Sequence, residues 1–242
     1  MSGRDTLFQT PQPHLVDFTF DETVARVFPD MIRRSVPGYD TVIAMTGVFA
    51  RHFVRDGSAV HDLGCSLGAS TLSMLQCHQA SAVRFHAVDN APAMLEKCQA
   101  ILDAAHPGHG VQFQCADVRD VTIDGASLVV MNFTLMFVPL SDRLALLSRI
   151  CRGLSPGCAL VLSEKIQLQD PQSQWLLTDL HHDFKRSNGY SDMEISGKRQ
   201  SIENVLIPET PEVHESRLRE AGFSQVHRWF QCFNFASWVA VR

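Results

Sequence analysis

The run Ala59-Val60-His61-Asp62-Leu63 leads into a turn, Gly64-Cys65-Ser66-Leu67-Gly68, and a second apolar run ends about 20 residues later at Val88-Asp89-Asn90. Strand, glycine turn, helix, strand and acid in that order constrain the chain to a parallel sheet with its working turns at the carboxyl edge. Glycine admits positive φ and brings no side chain into the space a ligand needs. An acid closing the second strand accepts hydrogen bonds from a ribose, so the pair points to a nucleoside, and the spacing to an adenosyl compound. The turn has neither the full GxGxxG pattern nor a Gly-Lys-Ser/Thr, so a phosphate cradle is not indicated.

Further apolar runs predict strands near Val83–Val88, Val111–Cys115, Ser127–Met131 and Cys158–Ser163, dense enough to be covered on both faces. Helical patterns fall between them at Ser70–His78, Pro92–Ala105 and Asp142–Gly153, with Pro92 in a first turn, Ser141 as a cap and Pro156-Gly157 as a turn. Ahead of the sheet, residues 1–17 read as a loose arm. Asp21–Ile32 reads as a helix broken at Pro29, and Thr41–Phe53 as a second one, giving a helical cover over about 18–55. Residues 165–207 are too long for an ordinary connection and read as a helical insertion, a lid or dimer surface. A helix from Thr210-Pro211 to Gly222 and strands Ser224–Gln231 and Phe233–Val241 complete a seven-stranded mixed α/β sheet, all within one adenosyl-binding domain, 1–242.

Composition narrows the partners. With 21 Lys and Arg against 26 Asp and Glu, the net charge of -5 argues against stable nucleic-acid binding. No apolar stretch suits a signal peptide or a membrane span, so a cytoplasmic protein is expected. The seven cysteines form no CxxC pair and read as buried thiols of a reducing compartment. His181-His182-Asp183 is a poor metal site, because adjacent side chains of a helix diverge and no third ligand stands near, so no metal is expected.

The candidate site residues all follow strand ends or lie in the cover and insertion. Gly64, Cys65 and Ser66 form the turn, and Asp62 is a candidate for orienting an amino-acid tail. Asp89 reads as a ribose acceptor or a helix cap, and Asn90 as a cap that also lines the adenine side. Asp117-Val118 offers a carboxylate and a neighbouring N–H to adenine. Asn132 offers an amide to a zwitterionic ligand, or else stabilises its own turn. Tyr39 is placed to close over the pocket. Arg199 reads equally as a carboxylate fork or as a salt bridge of the cover. Trp229, Phe230, Phe233, Phe235 and Trp238 read as packing of the terminal strands. No G-x-S-x-G elbow, paired carboxylates or Cys–His arrangement is present, which suits chemistry whose reactive atom, such as a sulfonium, belongs to the ligand.

The chain resembles the S-adenosyl-L-methionine-dependent transferases, with the Rossmann-like sheet of class I methyltransferases, and more closely the carboxy-S-adenosyl-L-methionine synthase family. The likeness runs through Arg4 to Phe8, Phe28 to Ile32, Arg34 to Tyr39, Asp62 to Gly68, Asn132 to Leu135, Leu162 to Lys165, His181 to Arg186, Asn188 to Ser191, Lys198-Arg199 and Trp229 to Phe235. It implies conversion of S-adenosyl-L-methionine and prephenate into carboxy-S-adenosyl-L-methionine and phenylpyruvate, the donor serving carboxymethylation of wobble uridine in tRNA. It also implies ligand contacts at Tyr39, Gly64 to Ser66, Asp89, Asn90, Asp117, Val118, Asn132 and Arg199, with Arg199 pairing with the new carboxylate as the catalytic electrostatic group. A homodimer and a transient contact with the downstream tRNA carboxymethyltransferase are implied as well. The rival readings are an ordinary methyltransferase, forming S-adenosyl-L-homocysteine, and a noncatalytic sensor of an adenosyl metabolite.

Overall fold

The apolar runs become five parallel strands: β1 (Ala59–Leu63), β2 (Arg84–Asp89), β3 (Gln112–Cys115), β4 (Ala126–Asn132) and β5 (Leu154–Lys165). The computed structural model describes residues 3–9, 19–202 and 205–242. Two further strands, β6 (Gln225–Cys232) and β7 (Phe235–Val241), add antiparallel to β5 and complete the order β3-β2-β1-β4-β5-β7-β6. The chain steps outward from β1 to β3 and then returns to the other side of β1 at β4. Loops therefore diverge at the carboxyl ends of β1 and β4 and leave a crevice there, the usual ligand position in such sheets.

Strand alternation builds two apolar layers, one on each face of the sheet. Val129, Met131, Leu160, Leu162 and Trp238 pack on one face with residues of α5 (Leu140–Gly153) and α8 (Pro211–Glu220). Leu128, Val130, Ala159 and Val161 pack on the other with α2 (Tyr39–Phe53), α3 (Ala69–Cys77) and α4 (Pro92–Ala105). The insertion consists of α6 (Pro171–Ser187), begun by the Asp170 carboxylate accepting from Ser173 N at 2.8 Å, and α7 (Asp192–Ile202).

Four local expectations need correction. α1 (Glu22–Ser35) runs unbroken through Pro29: one lost hydrogen bond is outweighed by burial of Val24 and Val27 before it and Met31 after it. Pro156-Gly157 lies within β5, where Gly157 takes φ +73° and the pairing with β4 shifts register, so it is an irregularity of the strand rather than a turn before it. Ser141 is inside the first turn of α5, and its hydroxyl bonds Asp142 rather than capping the helix. Residues 3–9 are not loose. Asp5 is 1% exposed, its N–H donates to Asp30 Oδ2 at 2.7 Å, and its carboxylate accepts from the Tyr190 hydroxyl and sits 3.9 Å from Lys198 Nζ. The rest of the expected arm, residues 10–17, and the first residue of the cover, 18, lie outside the described residues.

Candidate active site

The crevice opens into a cavity of about 790 Å³ between the strand ends, α1, α2 and the insertion. Its floor is the turn after β1. Gly64 and Gly68 both take φ +80°, and Ser66 holds φ +49°, an uncommon conformation for a residue with a side chain. Gly64 N and Cys65 N both donate to Val88 O, at 2.8 and 2.9 Å, which ties the turn to the end of β2. A Cβ on Gly64 would collide with the Thr134 side chain, and one on Gly68 would stand 2.7 Å from Cys98 Sγ. The glycines are thus required twice, by conformation and by space.

Asp89 completes that tie. Its Oδ2 accepts from Ser66 N and its Oδ1 from Ala91 N, both at 2.9 Å, and burial raises its pKa above the ordinary carboxylate value. The carboxylate therefore braces the entry to α4 and also lines the cavity. Asn90 lines the cavity but does not cap α4, whose capping position is Ala91 with no side-chain bond. Asp62 accepts from Thr71 Oγ1 at 2.6 Å and is fully buried, its pKa raised to about 6 by desolvation, so it anchors α3 to β1. Cys65 faces the cavity, but a hydrogen bond with Cys98 and burial keep its thiol protonated, which argues against a thiolate nucleophile.

Every other expected residue lies on this one cavity. Tyr39 opens α2, its ring 6.2 Å from that of Phe133, and burial raises its hydroxyl pKa. Asp117 is gripped by Arg119, with contacts of 2.8 to 3.0 Å to both oxygens, and this pairing lowers its pKa, so a ligand amine must share an already engaged carboxylate. Val118 is buried beside it. Asn132 uses its amide inside the protein, donating to Ser70 Oγ at 3.0 Å and Thr46 Oγ1 at 3.2 Å and accepting from Ser163 Oγ at 2.7 Å. These bonds tie α2, α3 and β5 to the end of β4 rather than bracing the turn after it, and the residue lines the cavity. Arg199 sits on α7 at the cavity, on the same chain as Asp89.

The wall opposite the turn is basic. Lys165 at the end of β5, His182 and Lys185 on α6, and Lys198 and Arg199 on α7 all line the cavity. Of these, only Arg199 is among the expected ligand contacts. A signal was present: Gln174, Thr178, His181, His182 and Lys185 recur at helical spacing and all face the cavity. A polar stripe on a helix ordinarily faces solvent, so spacing alone does not reveal that this one points inward. His181 is buried, with Nε2 bonded to Ser35 O at 2.8 Å, and burial lowers its pKa. Of the terminal aromatic residues, Trp238 is fully buried against His214 and Trp229 meets Phe49 edge-on at 5.2 Å, whereas Phe235, though buried, also lines the cavity.

Acidic and backbone groups on one side and cations on the other suit a cationic nucleoside beside an anion. Comparison with known proteins agrees. A methyltransferase-domain family matches residues 60–157. Among solved structures, an O-methyltransferase family protein from Burkholderia thailandensis aligns with TM-score 0.65 at 19% identity, over 92% of this chain and 60% of that one. Magnesium protoporphyrin IX methyltransferase from Synechocystis PCC 6803, with bound SAM, aligns with TM-score 0.58 at 14% identity, over 90% and 83%. At such identities these show the fold, a class I methyltransferase-like Rossmann sheet. Much nearer are the carboxy-S-adenosyl-L-methionine synthases of Salmonella paratyphi C, 53% identical, and Erwinia tasmaniensis, 54% identical, each over 100% of this chain and 98% of the relative. At that identity along the whole length, the chain belongs to the carboxy-S-adenosyl-L-methionine synthase family.

Proposed function

We propose that the chain converts S-adenosyl-L-methionine and prephenate into carboxy-S-adenosyl-L-methionine and phenylpyruvate, the product being the donor for carboxymethylation of wobble uridine in tRNA. The observation that carries this reading is the placement of Asp89 and Arg199 on one cavity of one chain. Its volume of about 790 Å³ lies in the range that holds an adenosyl sulfonium and a second small molecule. Prephenate loses its ring carboxyl as carbon dioxide, becomes aromatic and expels hydroxide from the opposite carbon. The hydroxide takes a proton from the sulfonium methyl and leaves as water. The resulting ylide carbon bonds to carbon dioxide, so the charges of the two substrates, two negative and one positive, equal those of the products.

The chain's part is positioning. The turn and Asp89 hold the nucleoside, with Asp117, Val118 and Asn90 on the adenine side and Tyr39 and Asn132 on the wall. Confinement lets carbon dioxide meet a short-lived carbanion before it diffuses away, and a closed site limits reprotonation by water. Arg199, always protonated, meets the carboxylate only as it forms and therefore favours the transfer itself. The cover and insertion fold with the sheet into one adenosyl-binding domain, which also works as a homodimer and makes a transient contact with the tRNA carboxymethyltransferase.

Mass spectrometry after incubation with both substrates tests the reaction. The expected result is an adenosyl product heavier by the mass of carbon dioxide, formed in step with phenylpyruvate. S-adenosyl-L-homocysteine as the product, or binding without turnover, overturns it in favour of a methyltransferase or a sensor.

A further inference from the structure

The reading above assigns Arg199 to the carboxylate that moves, yet the substrate brings two. The second one, on the oxo-acid arm, survives into phenylpyruvate and needs its own counter-charge where it is drawn out of bulk water. Lys185 has the features of that counter-charge. It is half-buried on the inward stripe of α6, it lines the cavity, and among the described residues the charges acting on its ammonium are those of Lys198, Lys165 and Arg199, with no carboxylate among them. His182, on the same stripe, is likewise surrounded by Lys185, Arg199, Arg186 and Lys165. By contrast Lys198, the other cavity lysine on the insertion, already has Ser35 Oγ at 3.0 Å and the Asp5 carboxylate at 3.9 Å.

We propose that Lys185, flanked by Lys165 and His182, seats the retained carboxylate of prephenate and of phenylpyruvate, so that the substrate bridges two cationic seats, Lys185 on α6 and Arg199 on α7. This rests on the function proposed above. Burial and those three positive neighbours lower the Lys185 ammonium to about 7, and an arriving carboxylate reverses the effect. Among the described residues, the groups acting on it are Lys165 from β5, Lys198 and Arg199 from α7, and His181 and His182 from its own helix, whereas the acids of the same cavity, Asp89 and Asp117, follow the ends of β2 and β3. Binding of phenylpyruvate near pH 8 is therefore accompanied by proton uptake.

The test uses the full chain with Lys185→Met and Lys185→Arg. In Lys185→Met the KM for prephenate rises and phenylpyruvate affinity falls by roughly 10- to 100-fold, the range for a charged hydrogen bond. Affinity for S-adenosyl-L-methionine stays within about twofold, and Lys185→Arg recovers most of the loss. Calorimetry in two buffers near pH 8 shows proton uptake with wild-type protein and not with Lys185→Met. Wild-type binding adds a measurement that needs no variant: phenylpyruvate binds more tightly than phenylacetone, the uncharged ketone with a methyl group in place of the carboxylate. Wild-type turnover with unchanged prephenate KM in Lys185→Met, equal loss for both substrates, or equal binding of acid and ketone overturns the proposal. Failure of wild-type to make the carboxylated product instead overturns the function itself.

Discussion

The two sides of the cavity are built by different means. The floor, from Gly64 to Gly68 with Asp89, is held by the backbone: positive φ angles, N–H groups on Val88 O and a carboxylate taking two further N–H groups. The basic wall is held by long side chains on helices that stand outside the sheet, with Lys165 at a strand end. A backbone-built floor belongs to a fold, and methyltransferases below 20% identity share the fold of this chain. A side-chain wall on an insertion is where one member of that fold acquires its own chemistry. The comparison therefore predicts separable losses, in which floor changes remove the nucleoside and wall changes remove the anion.

Gly64→Val is the harshest break. A β-branched side chain at φ +80° against Thr134 must distort the turn, costing roughly 3 kcal/mol or more. Calorimetry should find S-adenosyl-L-methionine binding lost, with a lowered Tm. Native affinity in this variant would remove the turn from the nucleoside seat. Arg199→Ala attacks the wall instead. We expect affinity for carboxy-S-adenosyl-L-methionine to fall by roughly 10- to 100-fold while S-adenosyl-L-methionine is held almost as before. Equal weakening of both would make Arg199 a general support.

The same division explains what could be read in the sequence. The floor was legible because glycines and an acid at fixed offsets from apolar runs leave few backbone solutions. β1 matches its expected range, Ala59–Leu63, and Asp89 ends β2. The order of the elements likewise implied the seven strands. The wall was legible only through Arg199 and family resemblance. Lys185 and His182 look like solvated residues until α6 is folded over the cavity, and no local pattern states which way an insertion helix turns. Pro29 and Asp5 were misread for a related reason: tertiary packing around each overrides a local signal, a helix breaker in one case and a polar terminus in the other.

Asp5→Asn tests how the wall is held up. Lys198 is buried next to Arg199, and the Asp5 carboxylate favours its charged form against a desolvation that lowers its pKa to about 8. Removing that charge leaves α7 fixed by a less favourable ammonium, so Arg199 and the prephenate side should suffer while the floor does not. The expected outcome is roughly a tenfold fall in kcat/KM for prephenate, equivalent to about 1.4 kcal/mol, with S-adenosyl-L-methionine affinity preserved. An unchanged kcat/KM would show that α7 keeps its place without the N-terminal segment.

The smallest effect belongs to a residue between the two regions. Glu164 and Lys165 are consecutive in β5 and point to opposite sides. Lys165 joins the wall, whereas Glu164 is fully buried and accepts from Leu135 N at 2.9 Å, in the turn after β4. Its second oxygen, Oε2, has no hydrogen-bond partner among the described residues. Burial, opposed by the Arg143 charge, raises the carboxyl pKa from 4.5 to about 8. The folded state thus keeps a proton that the unfolded chain releases, so stability from this group is fully present below about 4.5 and is lost as pH rises through about 8. Glu164→Gln keeps the acceptor at Leu135 and has no proton to lose. Urea midpoints measured from about pH 5 to 8 should fall less in the variant than in wild-type. The KM values for both substrates should stay where they were. A parallel pH slope in the two proteins would assign the loss to other groups, and a raised prephenate KM would mean that this strand transmits strain to Lys165, joining the two regions that the other variants are expected to separate.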